Sequence, residues 1–289
     1  MKVYINGRFY EKQDAKISVF DHGLLYGDGV FEGVRVYKRL IFKLKEHLDR
    51  LYESAHSTML KIPLGKEEFK QAIIKTLKIN KLSDAYLRII VTRGEGDLGL
   101  DPRKCRGRES VIIIADRIAL YPLRLYREGM NIITVSTTRN AHEALNPQIK
   151  SLNYLNNIMA KIEATNSGYE EALMLNDQGY VAECTGDNIF IIKNRELYTP
   201  PECMGALSGV TRETVLKIAP KIKIISHEHV FTRHELYVAD ECFLTGTAAE
   251  IIPVVKVDGR IIGKGKPGEV TQKLIKHYKE LTKKEGVRY

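Results

Sequence analysis

Apolar and polar positions alternate through "KVYINGRFYE" on either side of Asn6-Gly7, a hairpin signal because both central residues of such a turn take positive φ. "GVFEGVRVYKRLIFKLK" predicts a second long hairpin. The period then changes. Leu44, Leu48, Leu51 and Ala55 recur at helical spacing, "KEEFKQAIIKTLKIN" repeats the pattern, and the strands "AYLRIIVTRG" and "SVIIIAD" follow. Residues 1–117 therefore read as a small N-terminal α+β domain. Around 118–128, "RIALYPLRLYRE" breaks the alternation with a proline and reads as an interdomain connection.

Beyond it come the strand "NIITVSTT" and a helix whose Leu155, Ile158, Met159 and Ile162 share one face, ending near Gly168. "EALMLNDQGYVAECTGDNIFIIKNRELYTP" reads as three short strands. The helix "VTRETVLKIA" follows, stopped by Pro220, then the strands "KIKIISHE", "ECFLTG" and "IIPVVKVDGRIIG" and a closing amphipathic helix. Residues 129–289 thus form a larger α/β domain with largely antiparallel strands, and the whole chain is an α+β / α/β two-domain protein.

Composition narrows the class. At 289 residues and 44% hydrophobic content the chain can bury a sizeable core. Its longest apolar runs are strand-length and the N-terminus lacks the apolar core of a signal peptide, so a cytoplasmic location and no membrane partner are expected. Four scattered cysteines, with no CxxC pair and no Cys/His cluster, imply neither a disulfide framework nor a metal site. The net charge of +9 would suit an acidic partner, but basic and acidic residues alternate along most of the chain. The densest basic stretch, "DPRKCRGRES", is short and holds no aromatic residue, which argues against nucleic acid.

Candidate chemistry gathers at four places. Lys150 is the sole charge between Glu143 and Lys161, in a window that at 28% charged residues would hold about five, and the stretch reads as shielded from bulk water. Such a lysine either snorkels its ammonium outward or performs chemistry as an amine. Glu183 lies in an uncharged run on a predicted strand, as a partly exposed surface residue or as a charge held for a cation. "ALSGVTRETV" begins a helix, where backbone amides and the dipole suit a phosphate as well as an ordinary cap. "FLTGTAAEIIPV" sets small residues after a strand, for a tight turn or for close approach of a ligand. Together an amine, a carboxylate, a phosphate-binding helix start and a small-residue loop are the parts that a pyridoxal phosphate site requires.

"YGDGVFEGVRVY", "HLDRL", "AYLRIIVTRG", "IKSLNYLNNI", "GYVAECTGDNIF", "LSGVTRETV" and "FLTGTAAEIIPV" together resemble, in order and over almost the whole chain, the branched-chain amino acid aminotransferases of fold-type IV. That resemblance implies pyridoxal 5'-phosphate as cofactor, and a small N-terminal α/β domain with a larger domain built on a pseudo-barrel sheet. Lys150 would form the internal aldimine and shuttle the proton, Glu183 would pair with the pyridinium nitrogen, and Tyr154 would bond the phenolic oxygen. Arg50, Leu207, Gly209, Val210, Thr211 and Thr247 would complete the cofactor site, chiefly around its phosphate. On the substrate side the matching positions are Phe31, Gly33, Tyr86, Arg88 and Ala248, with Tyr26 entering the neighbouring subunit's site. The implied reaction is transamination between leucine, isoleucine or valine and 2-oxoglutarate, with glutamate and 2-oxo acids as the other substrates, in a homodimer or higher homo-oligomer. Two other readings stand beside it. One is a sister activity, a D-amino acid aminotransferase or aminodeoxychorismate lyase, and the other is a basic nucleic-acid-binding protein.

Overall fold

Asn6 and Gly7 both take positive φ, 47° and 86°, and close the first hairpin as their side chains permit. The computed structural model describes residues 1–105, 109–118 and 120–289, so Arg106, Gly107 and Arg108 of the basic stretch and Ala119 of the connection lie outside the described residues. In chain order the elements are β1 (Lys2–Ile5), β2 (Arg8–Glu11), α1 (His22–Tyr26), β3 (Gly29–Tyr37), β4 (Leu40–Phe42), α2 (Leu44–Ser57), α3 (Lys66–Ile79), β5 (Ala85–Thr92) and β6 (Ser110–Asp116). Then follow α4 (Leu123–Glu128), β7 (Met130–Thr134), α5 (His142–Leu145), α6 (Leu155–Asn166), β8 (Glu171–Leu175), β9 (Val181–Cys184), β10 (Asn188–Lys193) and β11 (Glu196–Thr199). The rest are α7 (Val210–Ile218), β12 (Ser226–Glu228), α8 (Arg233–Tyr237), β13 (Glu241–Gly246), β14 (Glu250–Val257), β15 (Arg260–Ile261), α9 (Glu269–Leu281) and β16 (Gly286–Arg288).

The chain divides into two compact units, and neither is a single run of sequence. The first comprises Met1–Ile118, Ile149–Asn153 and Thr282–Tyr289, the second residues 119–148 and Tyr154–Leu281. In the first, a seven-stranded sheet runs β16-β4-β3-β5-β6-β1-β2. The helical stripe of α2 does what its spacing predicts: Leu44, Leu48, Leu51 and Ala55 are buried against Val30, Val34 and Val36 of β3. The chain does not end on a helix, as its pattern suggests. After α9, β16 pairs with β4, a three-residue strand too short to leave a period of its own. The expected second hairpin is also lopsided: β4 meets only Val36 and Tyr37, while β3 pairs along Gly29–Val36 with β5.

In the second unit a nine-stranded mixed sheet runs β12-β11-β10-β13-β14-β7-β8-β9, with β15 on β14. The span expected to hold three strands holds four, β8 to β11, because tight turns separate strands of four to six residues. The sheet curls back on itself. β9, at one end of the path, leads straight into β10, third from the other, and the Cys184 amide donates to the Asp187 carbonyl at 2.8 Å. The family resemblance implies a pseudo-barrel sheet, and the observed sheet is mixed, with β9 and β10 joined by this turn and not paired as neighbours. Part of the stretch read as a connection is helical, since Pro122 precedes the first turn of α4 and can enter a helix only there.

α6 inverts the reading of its faces. Ala160 and Ala164 pack on Ala172 and Met174, small residues letting the helix approach β8 closely, while Leu155, Ile158, Met159 and Ile162 are 46–68% exposed. The helical part of the uncharged window thus carries an outward apolar stripe in the single chain, while Lys150 itself is half-buried and its neighbour Ser151 buried.

Candidate active site

Strand alternation sorts β3 in the first unit. Val30, Glu32, Val34 and Val36 face α2, and Phe31 and Gly33 face the other way, with Gly33 opposite Arg88 of β5. A Cβ on Gly33 would stand 1.9 Å from the Tyr86 hydroxyl, so glycine is what lets that ring lie across the strand. The Arg88 guanidinium lies over the Phe31 ring at 4.6 Å and over Tyr86 at 5.6 Å. Among the described residues it stacks on rings and joins no ion pair. Phe31 is buried, as a core aromatic would be, but it carries cations on its face and not only packing partners.

Lys150 belongs to the same unit. Residues 150–152 lie against the first residues of β3 as an added strand: the Phe31 amide donates to the Lys150 carbonyl at 3.0 Å and the Leu152 amide to the Gly29 carbonyl at 2.9 Å. The Lys150 amide donates to Ser54 Oγ of α2 at 3.1 Å, and its Nζ stands 4.9 Å from the Phe31 ring centroid. Lys150, Phe31, Gly33, Tyr86 and Arg88 are thus brought together around one ring.

Arg50 is no surface arginine. His47, Arg50 and Ser54 form a buried polar stripe on α2, and Glu32 answers it from β3. Arg50 Nε donates to Glu32 Oε1 at 2.6 Å, its Nη2 donates to Oε2 at 2.9 Å, and His47 Nδ1 donates to Oε2 at 2.8 Å. Complete burial would raise the Glu32 pKa, but Arg50 and His47 outweigh it and hold the carboxyl far below the usual range. Burial lowers the His47 pKa, against the pull of the Glu32 carboxylate that its Nδ1 faces. Tyr26 sits apart from these groups at the end of α1, its hydroxyl donating to the Leu98 carbonyl at 2.5 Å.

In the second unit the surface reading of Glu183 fails, since the residue is 5% exposed. Its Oε1 pairs with Arg139 Nη2 at 2.8 Å, and its Oε2 accepts from Asn188 Nδ2 at 3.1 Å and from the Leu207 amide at 2.9 Å. Arg139 is anchored in turn on the Gly205 carbonyl and on Asn156 and Asn157, close in sequence to Tyr154, which caps the start of α6. Gly209 precedes α7 with no side chain to cap it, so the amides of Val210 and Thr211 point out of the helix start. A Cβ on Gly209 would stand 2.0 Å from Asn188 Oδ1, which binds this helix start to the group holding Glu183. Thr247 and Ala248 lie in the turn from β13 to β14, where β13 carries Thr245 opposite Asn188.

A second acidic group lies in this unit. The Tyr121 hydroxyl stands 2.9 Å from Glu171 Oε2 and 3.2 Å from Asp187 Oδ2, and a single phenolic proton cannot serve both. Burial and then Glu171 push the Asp187 carboxyl up to about 7.

Glu32, His47, Arg139 and Asn188 escaped sequence reading. The first two leave a faint signal, a polar stripe at i, i+3 and i+7 on an apolar helix face and a glutamate within a valine-rich strand. Arg139 leaves none. Among the described residues no group of three or more His, Cys, Asp or Glu could hold a metal ion.

The profile of the family described as Amino-transferase class IV matches residues 29–257. A putative branched-chain-amino-acid aminotransferase of Methanocaldococcus jannaschii is 53% identical over 288 residues, covering 100% of this chain and 99% of the relative. The crystal structure of the Escherichia coli branched-chain amino acid aminotransferase superposes with a TM-score of 0.94 at 34% identity, over 97% of this chain and 94% of that one. The branched-chain amino acid aminotransferase from Thermobaculum terrenum, in its PLP form, gives a TM-score of 0.88 at 30% identity, over 97% of this chain and 93% of that one.

Proposed function

Since the chain belongs to the class IV amino-transferases, and within them to the branched-chain aminotransferases, we propose that it uses pyridoxal 5'-phosphate to move an amino group between leucine, isoleucine or valine and 2-oxoglutarate. The observation that carries this reading is the Phe31 ring with Lys150 at 4.9 Å and Arg88 at 4.6 Å. It offers an apolar floor for an aliphatic side chain, an amine for the chemistry and a guanidinium for the second carboxylate of glutamate.

The residues fit that cofactor. Glu183 is a buried carboxylate held in place by three donors, suited to face a ring nitrogen, and Gly209 leaves a helix start open to an anion. Arg50, Val210, Thr211 and Thr247 would hold the phosphate, Leu207 and Gly209 would line it, and Tyr154 would bond the phenolic oxygen. The cofactor, when bound, supplies an electron sink for the pair left on the substrate's Cα. The Lys150 amine would take the substrate's Cα proton and deliver it, across the intervening nitrogen, to the carbon that the cofactor contributes. Glu183 would hold a proton on the ring nitrogen. Gly33, Tyr86 and Arg88 would contact the substrate, and the family resemblance adds Ala248 and a neighbouring subunit's Tyr26 to that set.

In this reading residues 1–117 would supply substrate recognition and Arg50, and residues 129–289 the ring and phosphate contacts, with Lys150 on the segment Ile149–Asn153 that is grouped with the first unit. The exposed apolar stripe on α6 supports a homodimer or higher homo-oligomer. No helix among the described residues is long and apolar enough to cross a membrane. Borohydride reduction of the purified protein followed by peptide mapping tests the core of the proposal. The label is expected on Lys150, and a label on another lysine, or none, overturns it.

A further inference from the structure

We infer that Glu32 is a positioning residue that makes Arg50 a directional clamp for the cofactor's phosphate, an inference that rests on the function proposed above. A glutamate at 0% exposure inside a sheet-helix core is expensive, and valine, which occupies the neighbouring inward positions of β3, would fill the site without that expense. What the carboxylate obtains is specific. It takes the Nε edge of Arg50 in a fork, at 2.6 and 2.9 Å, and is itself held by His47 Nδ1 at 2.8 Å and by the Gly33 amide at 3.2 Å. Both oxygens are thereby engaged, and the planar guanidinium has one orientation before any anion arrives.

The same strand and helix also place Lys150, through the Phe31 amide and Ser54 Oγ. Glu32 lies one residue from Phe31, and Arg50 one helical turn from Ser54. The fork therefore sets the guanidinium in the frame that sets the amine, as required of a group that anchors one end of a cofactor while the lysine engages the other.

Charge and orientation make opposite demands, which makes the inference testable. Glu32 cancels the charge of Arg50, so if charge alone governed phosphate binding, Glu32→Gln would tighten it. If orientation governs it, Glu32→Gln weakens it, because the amide puts a donor where the fork requires an acceptor.

The test is a fluorescence titration of the full chain, freed of cofactor, with pyridoxal phosphate and with pyridoxal, which lacks the phosphate. Glu32→Gln is expected to lower affinity for pyridoxal phosphate by roughly 10- to 100-fold, the scale of a lost charge-assisted contact, and to leave pyridoxal nearly unchanged. Glu32→Asp keeps the buried charge but draws the carboxylate back by one methylene. It is expected to lose the same preference, and it carries the test if the glutamine variant does not fold. Preserved preference for pyridoxal phosphate in either folded variant, tighter binding, or an equal loss for both aldehydes overturns the role of Glu32 alone. Failure of the unaltered chain to bind either aldehyde overturns the proposed function, and this role with it.

Discussion

On the proposed function, replacing Arg88 by leucine should separate the two kinds of substrate that one pocket would accept. Arg88 lies across Phe31 and Tyr86, with its centroid distances of 4.6 and 5.6 Å in the range of cation–π contact, each worth about 0.5–2 kcal/mol. Leucine forfeits those contacts but lays a methyl-bearing side chain on the same rings, recovering roughly 1 kcal/mol or more of apolar burial. Fold stability should therefore change little, and the thermal midpoint by a few degrees at most. Substrate recognition should not be spared equally. In the proposed recognition glutamate and 2-oxoglutarate would lose a charge-assisted hydrogen bond worth about 1.5–3 kcal/mol, and kcat/KM for them should fall roughly 10- to 100-fold. Leucine and valine carry no second carboxylate to make that bond. Single-turnover half-reactions, following the cofactor's absorbance with leucine and separately with glutamate, give the two rates directly. Equal losses for both amino acids, or a marked fall in thermal stability with an unchanged ratio of rates, would refute dual recognition by Arg88 and leave it a structural residue.

On the proposed function Glu183→Gln should retain the cofactor but slow turnover strongly, because the carboxylate proposed to hold the ring nitrogen's proton is gone and Arg139 loses its ion-pair partner in a buried site; near-normal turnover at confirmed occupancy would point to another carboxylate. Gly33→Ala forces a Cβ against the Tyr86 hydroxyl, so KM for every amino acid should rise while cofactor affinity holds, and a silent variant would remove Tyr86 from the pocket. Asp187 predicts a pH dependence. Its folded pKa of about 7 stands above the ordinary 3.8, so between those values the folded chain binds more protons than the unfolded one, and stability falls as pH rises through that window. Asp187→Asn should flatten the fall, which thermal midpoints taken across that range will show, and an unchanged slope would assign the proton elsewhere.

Much of this protein was determined locally. The Asn6-Gly7 turn, the buried stripe of α2 and the glycine start of α7 follow from the conformations and periods of a few adjacent residues, and neighbours in sequence carry that information. The order of the motifs identified the family for the same reason, since each is a short local solution to one part of the chemistry. Lys150 and Glu183 were legible as isolated charges in uncharged runs. Their surroundings were not. Whether a charge in a strand is solvated or buried depends on which distant group answers it, and periodicity reports only which side of an element is apolar. Tertiary structure alone brought Arg139 to Glu183, set Ser54 against a lysine 96 positions away, and paired Glu32 with Arg50. It also turned the apolar face of α6 outward and brought β16 back to the first sheet, because the packing of alanines on β8 and a vacant strand edge decide those placements, and neither is written in the residues that obey them.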